Sequence, residues 1–154
     1  MIYIHNDSIY PCIKHAMVLI ENTYNESKSI KVMYLNATNP DKLFNIFNTT
    51  SLSNNESVMR NFVYERIDNI NSLILYLQEI KTTDDVTKTM IIIEGLETIL
   101  LNGLGDYLEK NLALVTLFKL LNKMERGNQF ITLILDKKNN FFLLHCSEEI
   151  PIKE

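Results

Sequence analysis

Apolar residues recur along this chain in two alternating patterns. Continuous apolar runs, typical of strands buried on both faces, alternate with stretches in which apolar residues lie three or four positions apart, as in amphipathic helices. This alternation favours right-handed crossovers and predicts an α/β fold, in which helices cover both faces of a mostly parallel central sheet. A turn over 136–140 leading into Phe141–Leu144 adds a predicted C-terminal hairpin. The predicted strands before it are Ile2–Ile4, Ile30–Leu35, Phe62–Ile67, Met90–Ile93 and Phe130–Leu135.

Two predicted helices flank the second strand. One runs from about Pro11 to Tyr24, and a shorter one begins at Pro40, because proline suits the first position of a helix. The polar segment 49–57 is predicted to be a loop. The inward-facing positions of the short helix are Leu43, Phe44 and Phe47.

The second half of the chain predicts three more helical segments. Asp68 or Asn69 caps the first, and a solvated connection over 81–87 follows it. Glu97–Leu101 forms a short helical stretch, and Tyr107–Arg126 forms a long helix. The apolar face of the capped helix consists of Leu73, Ile74, Leu77 and Ile80. The inward positions predicted for the long helix are Leu108, Leu112, Val115 and Leu120.

Length and composition indicate a single nuclear or cytosolic domain, residues 1–154. At 46% hydrophobic content, a chain of 154 residues buries roughly two-thirds of its unfolded surface in one core. No basic segment precedes a continuous apolar core at the N-terminus, and nowhere do about 18 apolar residues follow one another. Neither secretion nor a membrane partner is therefore predicted.

The segment Lys88–Leu101 is the strongest indication of a ligand site. Its buried strand ends in Glu94 and Gly95, which suit a turn into a helix, and open α/β sheets bind ligands at the carboxyl ends of their strands. A phosphate-binding loop needs glycines that let successive backbone N–H groups approach oxygen atoms. The segment 5–14, where that loop belongs, contains no glycine. The sequence therefore predicts a nucleotide-site scaffold with no cofactor and no catalytic residue.

Three segments carry a resemblance to a known family. Val32–Thr38 resembles the strand of RecA-type eukaryotic recombinases whose pattern is Met-Tyr-Ile-Asp-Thr-Glu, and Val63–Arg66 resembles their next strand. Met90–Leu101 resembles their Walker B segment. The long helix and Phe130–Leu135 follow in the same order, so the resemblance covers nearly the whole chain. It implies a degenerate, three-layer RecA-like fold.

Departures from the family pattern imply a member without ATPase activity. Thr38 occupies the position of the family's catalytic Glu, and no Gln or Asn-Gln pair follows Leu135, where the family's sensor lies. Glu94 alone keeps an acid at the Walker B position and is a vestigial candidate. Phosphoryl transfer depends on positioning and electrostatic stabilisation, which a lone carboxylate does not supply.

The resemblance is clearest for the recombinase paralogues of the yeast Shu complex, in Tyr34–Thr38 and Ile92–Glu97. It implies a nuclear, noncatalytic mediator that heterodimerises with a second recombinase paralogue within the Shu complex. Such a mediator helps the recombinase assemble on DNA in homologous recombination and error-free damage tolerance. Two alternatives remain open: a degenerate nucleotide-binding ATPase, and a protein-interaction module without DNA binding.

Four basic residues are the predicted DNA contacts. The chain has 15 basic and 19 acidic residues, so a positive surface requires a local group, and DNA binding is predicted to belong mainly to the assembled complex. An ordinary solvated turn is the competing interpretation of two of them. The group consists of Lys123, Arg126, Lys137 and Lys138.

Two cysteines and two histidines would form a zinc site if the chain ends met. His15 follows Cys12 by three residues, and His145 precedes Cys146. This spacing is not that of a zinc finger or ribbon, and two cysteines in an intracellular chain are usually reduced. No metal is therefore predicted.

Overall fold

The computed structural model describes residues 1–80, 88–127 and 129–153, and the predicted connection at 81–87 lies outside them. The strands are β1 (Ile2–His5), β2 (Ile30–Asn36), β3 (Phe62–Arg66), β4 (Lys88–Glu94), β5 (Phe130–Asp136) and β6 (Glu148–Pro151). The helices are α1 (Ile9–Ser27), α2 (Asp41–Phe47), α3 (Glu56–Arg60), α4 (Ile70–Glu79), α5 (Leu96–Leu101), α6 (Tyr107–Glu125) and α7 (Asn140–Leu143). A short 3-10 helix, Ser51–Asn54, precedes α3.

The strands of the described residues form one six-stranded sheet in the order β3-β2-β4-β5-β1-β6. Each neighbouring pair in that order is parallel. The connection from β1 to β2 passes over two strands, because β5 and β4 lie between them. This topology confirms the predicted α/β class with a parallel central sheet, and it agrees with a three-layer RecA-like fold.

Alternate residues of the central strands belong to two separate cores. In β4, Ile91 and Ile93 face one core, and Met90 and Ile92 face the other, which is why this strand reads as a continuous apolar run. Helices α1, α2 and α3 cover the Met90 side and form what we call the α1 layer. Helices α4, α5, α6 and α7 cover the Ile91 side and form the α6 layer.

The predicted C-terminal hairpin is wrong. Phe141–Leu144 lies in α7 and its C-cap rather than in a strand. Oδ1 of Asn139 accepts the backbone N–H groups of Phe141 at 2.9 Å and Phe142 at 3.4 Å, and this cap starts a helical turn. The last strand is instead β6, which pairs parallel with β1. Its mostly exposed residues carry no continuous apolar run that predicts a strand.

Helix α6 buries a different face from the one predicted. Leu108 and Leu112 are 65% and 60% exposed, although their spacing predicts an inward face. The helix is apolar on both sides, so periodicity alone does not identify the buried side, and packing on the sheet decides it. The fully buried residues of α6 are Leu114, Leu117, Phe118 and Leu121.

Two predictions around α2 also need correction. Phe44 is 43% exposed, and Ile46 takes its place in the core. The segment 49–57 is not an open loop, because it contains the 3-10 helix and the start of α3. Leu52 and Val58 anchor these short elements by burying their side chains in the α1 layer. Isolated apolar residues in a polar segment gave no periodicity from which to predict them.

Candidate functional site

Residues at the carboxyl ends of β2, β4 and β5 and at the start of α1 line a crevice. Helix α1 follows β1 into one layer, whereas α5 follows β4 into the other, so the chain diverges to the two sides of the sheet at this edge. Such a switch point is where open α/β sheets bind ligands. A cavity of about 470 Å³ occupies it. The lining residues are Ile9, Thr38, Asn39, Asp41, Lys42, Glu94, Gly95, Thr98, Asp136 and Lys137.

Glu94 lines this crevice, and its carboxylate already has hydrogen-bond partners. It is the last residue of β4, is 7% exposed, and pairs with Asn36 of β2. Its Oε2 accepts a hydrogen bond from the Tyr34 hydroxyl at 2.5 Å and another from Asn36 Nδ2 at 3.3 Å. Burial, reinforced by the neighbouring carboxylate, raises the pKa of Tyr34, so its hydroxyl remains a donor. The Glu94 carboxylate thus joins β4 to β2.

A second tyrosine extends this network to the edge of the sheet. The Tyr64 hydroxyl on β3 lies 2.6 Å from Asn36 Oδ1 and 3.2 Å from the Thr38 carbonyl oxygen. Asn36 is therefore held between Tyr64 and Glu94 by its two amide atoms. Thr38, which the resemblance aligns with the family's catalytic Glu, lines the crevice and contributes its carbonyl to this network.

Asp136, at the end of β5, is held by the backbone instead. Its Oδ2 accepts the N–H of Glu97 at 2.8 Å, and its Oδ1 accepts the N–H of Lys137 at 2.8 Å. Burial raises the pKa of this carboxyl, and the two N–H groups act in the opposite direction. Because Glu97 lies in the first turn of α5, Asp136 fixes the path by which the chain leaves β4.

The connection between β1 and α1 consists of three residues, Asn6, Asp7 and Ser8. Oδ1 of Asn6 accepts the Ser8 N–H at 2.7 Å, and Nδ2 of Asn6 donates to the Ile152 carbonyl at 2.7 Å. The Asn6 N–H donates to the Asp136 carbonyl at 3.3 Å. This connection is therefore short and tied to neighbouring segments. It does not form the ring of successive N–H groups that surrounds a phosphate in a glycine-rich loop.

These contacts bear on whether the crevice suits a nucleotide with magnesium. Magnesium requires near-octahedral oxygen coordination, usually from one or two carboxylates, phosphates and water. Both oxygens of Asp136 accept backbone N–H groups, and Oε2 of Glu94 accepts two side-chain donors. Lys42 and Lys137 remain as groups that would meet an anion at this edge. Both strand-end carboxylates therefore already have hydrogen-bond partners within the fold.

The four predicted DNA-contact residues do not lie in one cluster. Lys137 and Lys138 are exposed just beyond the carboxyl end of β5. Lys123 and Arg126 are exposed at the end of α6, which leads to the amino end of the same strand. The seven residues of β5 separate the two pairs by about 20 Å. The predicted grouping is wrong, and contact of either pair with DNA stays a prediction.

The residues considered for zinc also lie apart. Cys12 is buried in the α1 layer, whereas Cys146 packs against the α6 layer on the opposite face of the sheet. Burial raises the pKa of both thiols to about 11. His145 stacks on Phe118, with ring centroids 4.6 Å apart. Within residues 1–80, 88–127 and 129–153, no three His, Cys, Asp or Glu side chains converge as metal ligands.

The sequence does not reveal which side chains engage Glu94, or that Asp136 caps α5. Strand alternation places Tyr34 and Asn36 on the same face of β2, and this is the one signal available from sequence. Their contact with Glu94 follows from the register of β2 against β4, which no local pattern specifies. Lys42 was likewise not predicted, because it lies on a short helix far in sequence from Lys137.

Compared with protein-family models and with curated protein sequences, the chain matches none. Among the described residues, no helix combines the length and the apolar character needed to cross a bilayer. The functional assignment therefore rests on the geometry of the crevice and on the resemblance of the segments that build it.

Proposed function

We propose that this protein is a noncatalytic subunit of a nuclear recombination mediator. It pairs with a second recombinase paralogue in a Shu-type complex and promotes assembly of the recombinase on DNA. The observation that carries the proposal is the meeting of Tyr34–Thr38 with Ile92–Glu97, the two segments of clearest resemblance, at the crevice. They pair along β2 and β4, and the Tyr34 hydroxyl donates to Glu94.

The state of the crevice favours a structural subunit over an ATPase. The acid at the end of β4 satisfies a buried tyrosine hydroxyl, and the acid at the end of β5 caps a helix. Each carboxylate therefore has a use in the fold that requires no nucleotide. A recombinase-like scaffold whose polar groups stabilise the fold is suited to binding partner proteins. The mediator then acts in homologous recombination and error-free damage tolerance.

Co-expression with each recombinase paralogue of the same organism tests this assignment. We expect a stable 1:1 heterodimer by light scattering, and faster assembly of the recombinase on single-stranded DNA when that heterodimer is added. A chain that binds none of the paralogues contradicts the proposal. A heterodimer with no affinity for DNA and no effect on recombinase assembly supports the protein-interaction module instead.

The size of the crevice and its two lysines favour a second candidate, a degenerate nucleotide-binding protein. Thermal unfolding with and without ATP and magnesium separates the two. Ligand at about 100 times its Kd stabilises the native state by about 2.7 kcal/mol, which is readily measured. The mediator proposal predicts no shift. A magnesium-dependent rise in the unfolding temperature would establish nucleotide binding if Lys42→Ala or Glu94→Ala abolished it. Lys31→Ala, which alters an exposed lysine, is the control and should preserve the rise.

A further inference from the structure

The short helix α5 ends at an exposed Asn-Gly pair. Asn102 follows the last residue of the helix, is exposed, and is the only asparagine in the chain that precedes a glycine. Glycine has no side chain to obstruct its own backbone nitrogen, so the Gly103 nitrogen is open to the carboxamide carbon of Asn102. Attack of a backbone nitrogen on the preceding carboxamide is the chemistry of spontaneous deamidation. The pair is therefore a candidate modification site.

The carboxamide of Asn102 is not held by hydrogen bonds, unlike those of the asparagines that cap helices in this chain. At the start of α3, Asn55 accepts the Val58 N–H at 3.1 Å, and at the start of α4, Asn69 accepts the Ser72 N–H at 3.0 Å. In the described part of the chain, no group forms a hydrogen bond with the Asn102 side chain. Its carboxamide therefore rotates without loss of a contact.

One backbone hydrogen bond at the end of α5 opposes the reaction. Asn102 has φ −71° and ψ −12°, and rotation about ψ must bring the Gly103 nitrogen to the carboxamide carbon. That rotation breaks the bond from the Gly103 N–H to the Leu100 carbonyl, which is 3.2 Å long. Helix α5 has six residues, and the last turn of a short helix opens readily. Two glycines flank Leu104, which is 91% exposed, so the connection to α6 adjusts without a change in the core.

We propose that Asn102 deamidates spontaneously in the folded protein. The Gly103 nitrogen gives up its proton to solvent and bonds to Cγ of Asn102, and the bond from Cγ to Nδ2 breaks as Nδ2 takes up a proton and leaves as ammonia. The product of this step is a five-membered succinimide ring. Water then opens either carbonyl of the ring, which leaves an aspartyl or an isoaspartyl residue at position 102. Overall, one water is consumed and one ammonia is released for each chain.

Deamidation adds one negative charge at the carboxyl end of α5, to a formal net charge of −4. A negative charge at the carboxyl end of a helix opposes the helix dipole. The ammonium of Lys110 offsets this effect, because it donates to the Leu101 carbonyl at 3.2 Å, one residue before Asn102. We therefore expect the modified protein to stay folded. Asn102 does not line the crevice, so this site is independent of the proposed function.

Peptide mapping by mass spectrometry tests the site. The folded chain and a urea-unfolded sample are kept at mildly alkaline pH, and each is digested with trypsin at the start and at intervals. The unfolded sample fixes the length of the incubation. Peptide 89–110 contains Asn102 and no other Asn or Gln. Peptide 67–81 is the internal control, because it contains Asn71, which is exposed within α4 and precedes a serine.

In the folded chain, we expect peptide 89–110 to deamidate at least about ten-fold faster than peptide 67–81, because rotation at Asn71 breaks α4 whereas rotation at Asn102 breaks one bond at a helix end. Two products of equal mass, aspartyl and isoaspartyl, should separate by chromatography. Equal rates in the two peptides, or the absence of product from 89–110 in the folded chain, would overturn the proposal.

Variants at two asparagines assign the new charge to its position. Asn102→Gln should remain uniform on anion exchange, because glutamine would have to form a six-membered ring, which closes much more slowly. Asn71→Gln, the matched control, should develop the same acidic species as the wild type, and fresh Asn102→Asp should elute with the aspartyl product. The circular dichroism of Asn102→Asp should match that of the wild type, and loss of its fold would contradict a modified protein that stays folded. An acidic species that forms in Asn102→Gln at the wild-type rate would place the reaction elsewhere and overturn the proposal.

Discussion

Strands β4 and β5 each end in a buried carboxylate, and the two are held in different ways. Glu94 accepts hydrogen bonds from side chains, Tyr34 and Asn36 of the neighbouring strand. Asp136 accepts hydrogen bonds from the backbone N–H groups of Glu97 and Lys137. The first carboxylate therefore depends on which residues stand in β2, whereas the second depends on the path of the chain into α5.

The contacts of Glu94 give this carboxylate a role in the fold. The Tyr34 hydroxyl is buried, and a buried donor left without an acceptor is costly. Glu94 supplies that acceptor, so the contact between Tyr34 and Glu94 stabilises the fold. An acid at the end of a buried strand is thus insufficient evidence for a nucleotide site, and the hydrogen-bond partners of the acid are better evidence.

Removal of the side-chain-held carboxylate should have the largest effect. Glu94→Ala leaves the Tyr34 hydroxyl without its acceptor and leaves a void, and one buried unsatisfied group costs about 1–3 kcal/mol. We expect the free energy of unfolding to fall by about 3 kcal/mol in urea titrations. Glu97→Ala, an exposed acid on α5, should change it by less than about 0.5 kcal/mol. Equal effects of the two changes would contradict a structural role for Glu94.

A double-mutant cycle isolates the hydrogen bond itself. Tyr34→Phe and Glu94→Ala should be coupled by about 1.5–3 kcal/mol, the range for a hydrogen bond to a charged group. Tyr34→Phe and Glu97→Ala should add to within about 0.5 kcal/mol, because the Glu97 side chain is exposed on another element. Additivity in the first cycle would mean that the void, and not the Tyr34 bond, accounts for the loss.

The sequence predicts best those strands and helices whose two faces have the same surroundings, for example strands buried on both faces. Strand β4 is recognisable because both of its faces are buried and its residues are uniformly apolar. The buried face of α6 is not recognisable, because Leu112 and Leu117 lie on different sides of an apolar helix and only packing distinguishes them. Strand β6 is missed because an edge position needs few apolar residues.

The backbone-held carboxylate should show its effect in the pH dependence of stability. The folded-state pKa of Asp136 is raised from 3.8, so its contribution to stability is fully present below that pH and declines as pH rises through the folded pKa. Asn at this position does not titrate. The stability advantage of the wild type over Asp136→Asn should therefore be largest in acid and narrow towards neutral pH, as measured by urea titrations at several pH values. An advantage that widens towards neutral pH would show that the N–H groups outweigh burial.

Prediction of the site from sequence fails where residues adjacent along the chain are carried apart. Arg126 and Lys137 are close in sequence, yet Arg126 precedes the amino end of β5 and Lys137 follows its carboxyl end, so the length of the strand separates them. Conversely, Lys42 and Lys137 are distant in sequence, and the parallel strands bring both to one crevice. The position of Glu94 is predictable because a single rule, the acid at the end of a buried strand, is local.

Replacement of the two pairs of basic residues should have the smallest effect on stability, but it tests directly which pair contacts DNA. Lys137→Ala with Lys138→Ala, and Lys123→Ala with Arg126→Ala, alter exposed side chains and should each change the free energy of unfolding by less than about 0.5 kcal/mol per site. In anisotropy titrations of the heterodimer at several salt concentrations, loss of the first pair should lower the salt slope by about one to two phosphate contacts. The second pair lies about 20 Å away, beyond the opposite end of β5, so its loss should leave the slope unchanged. A slope that depends only on the α6 pair would place the DNA path at the amino edge of the sheet.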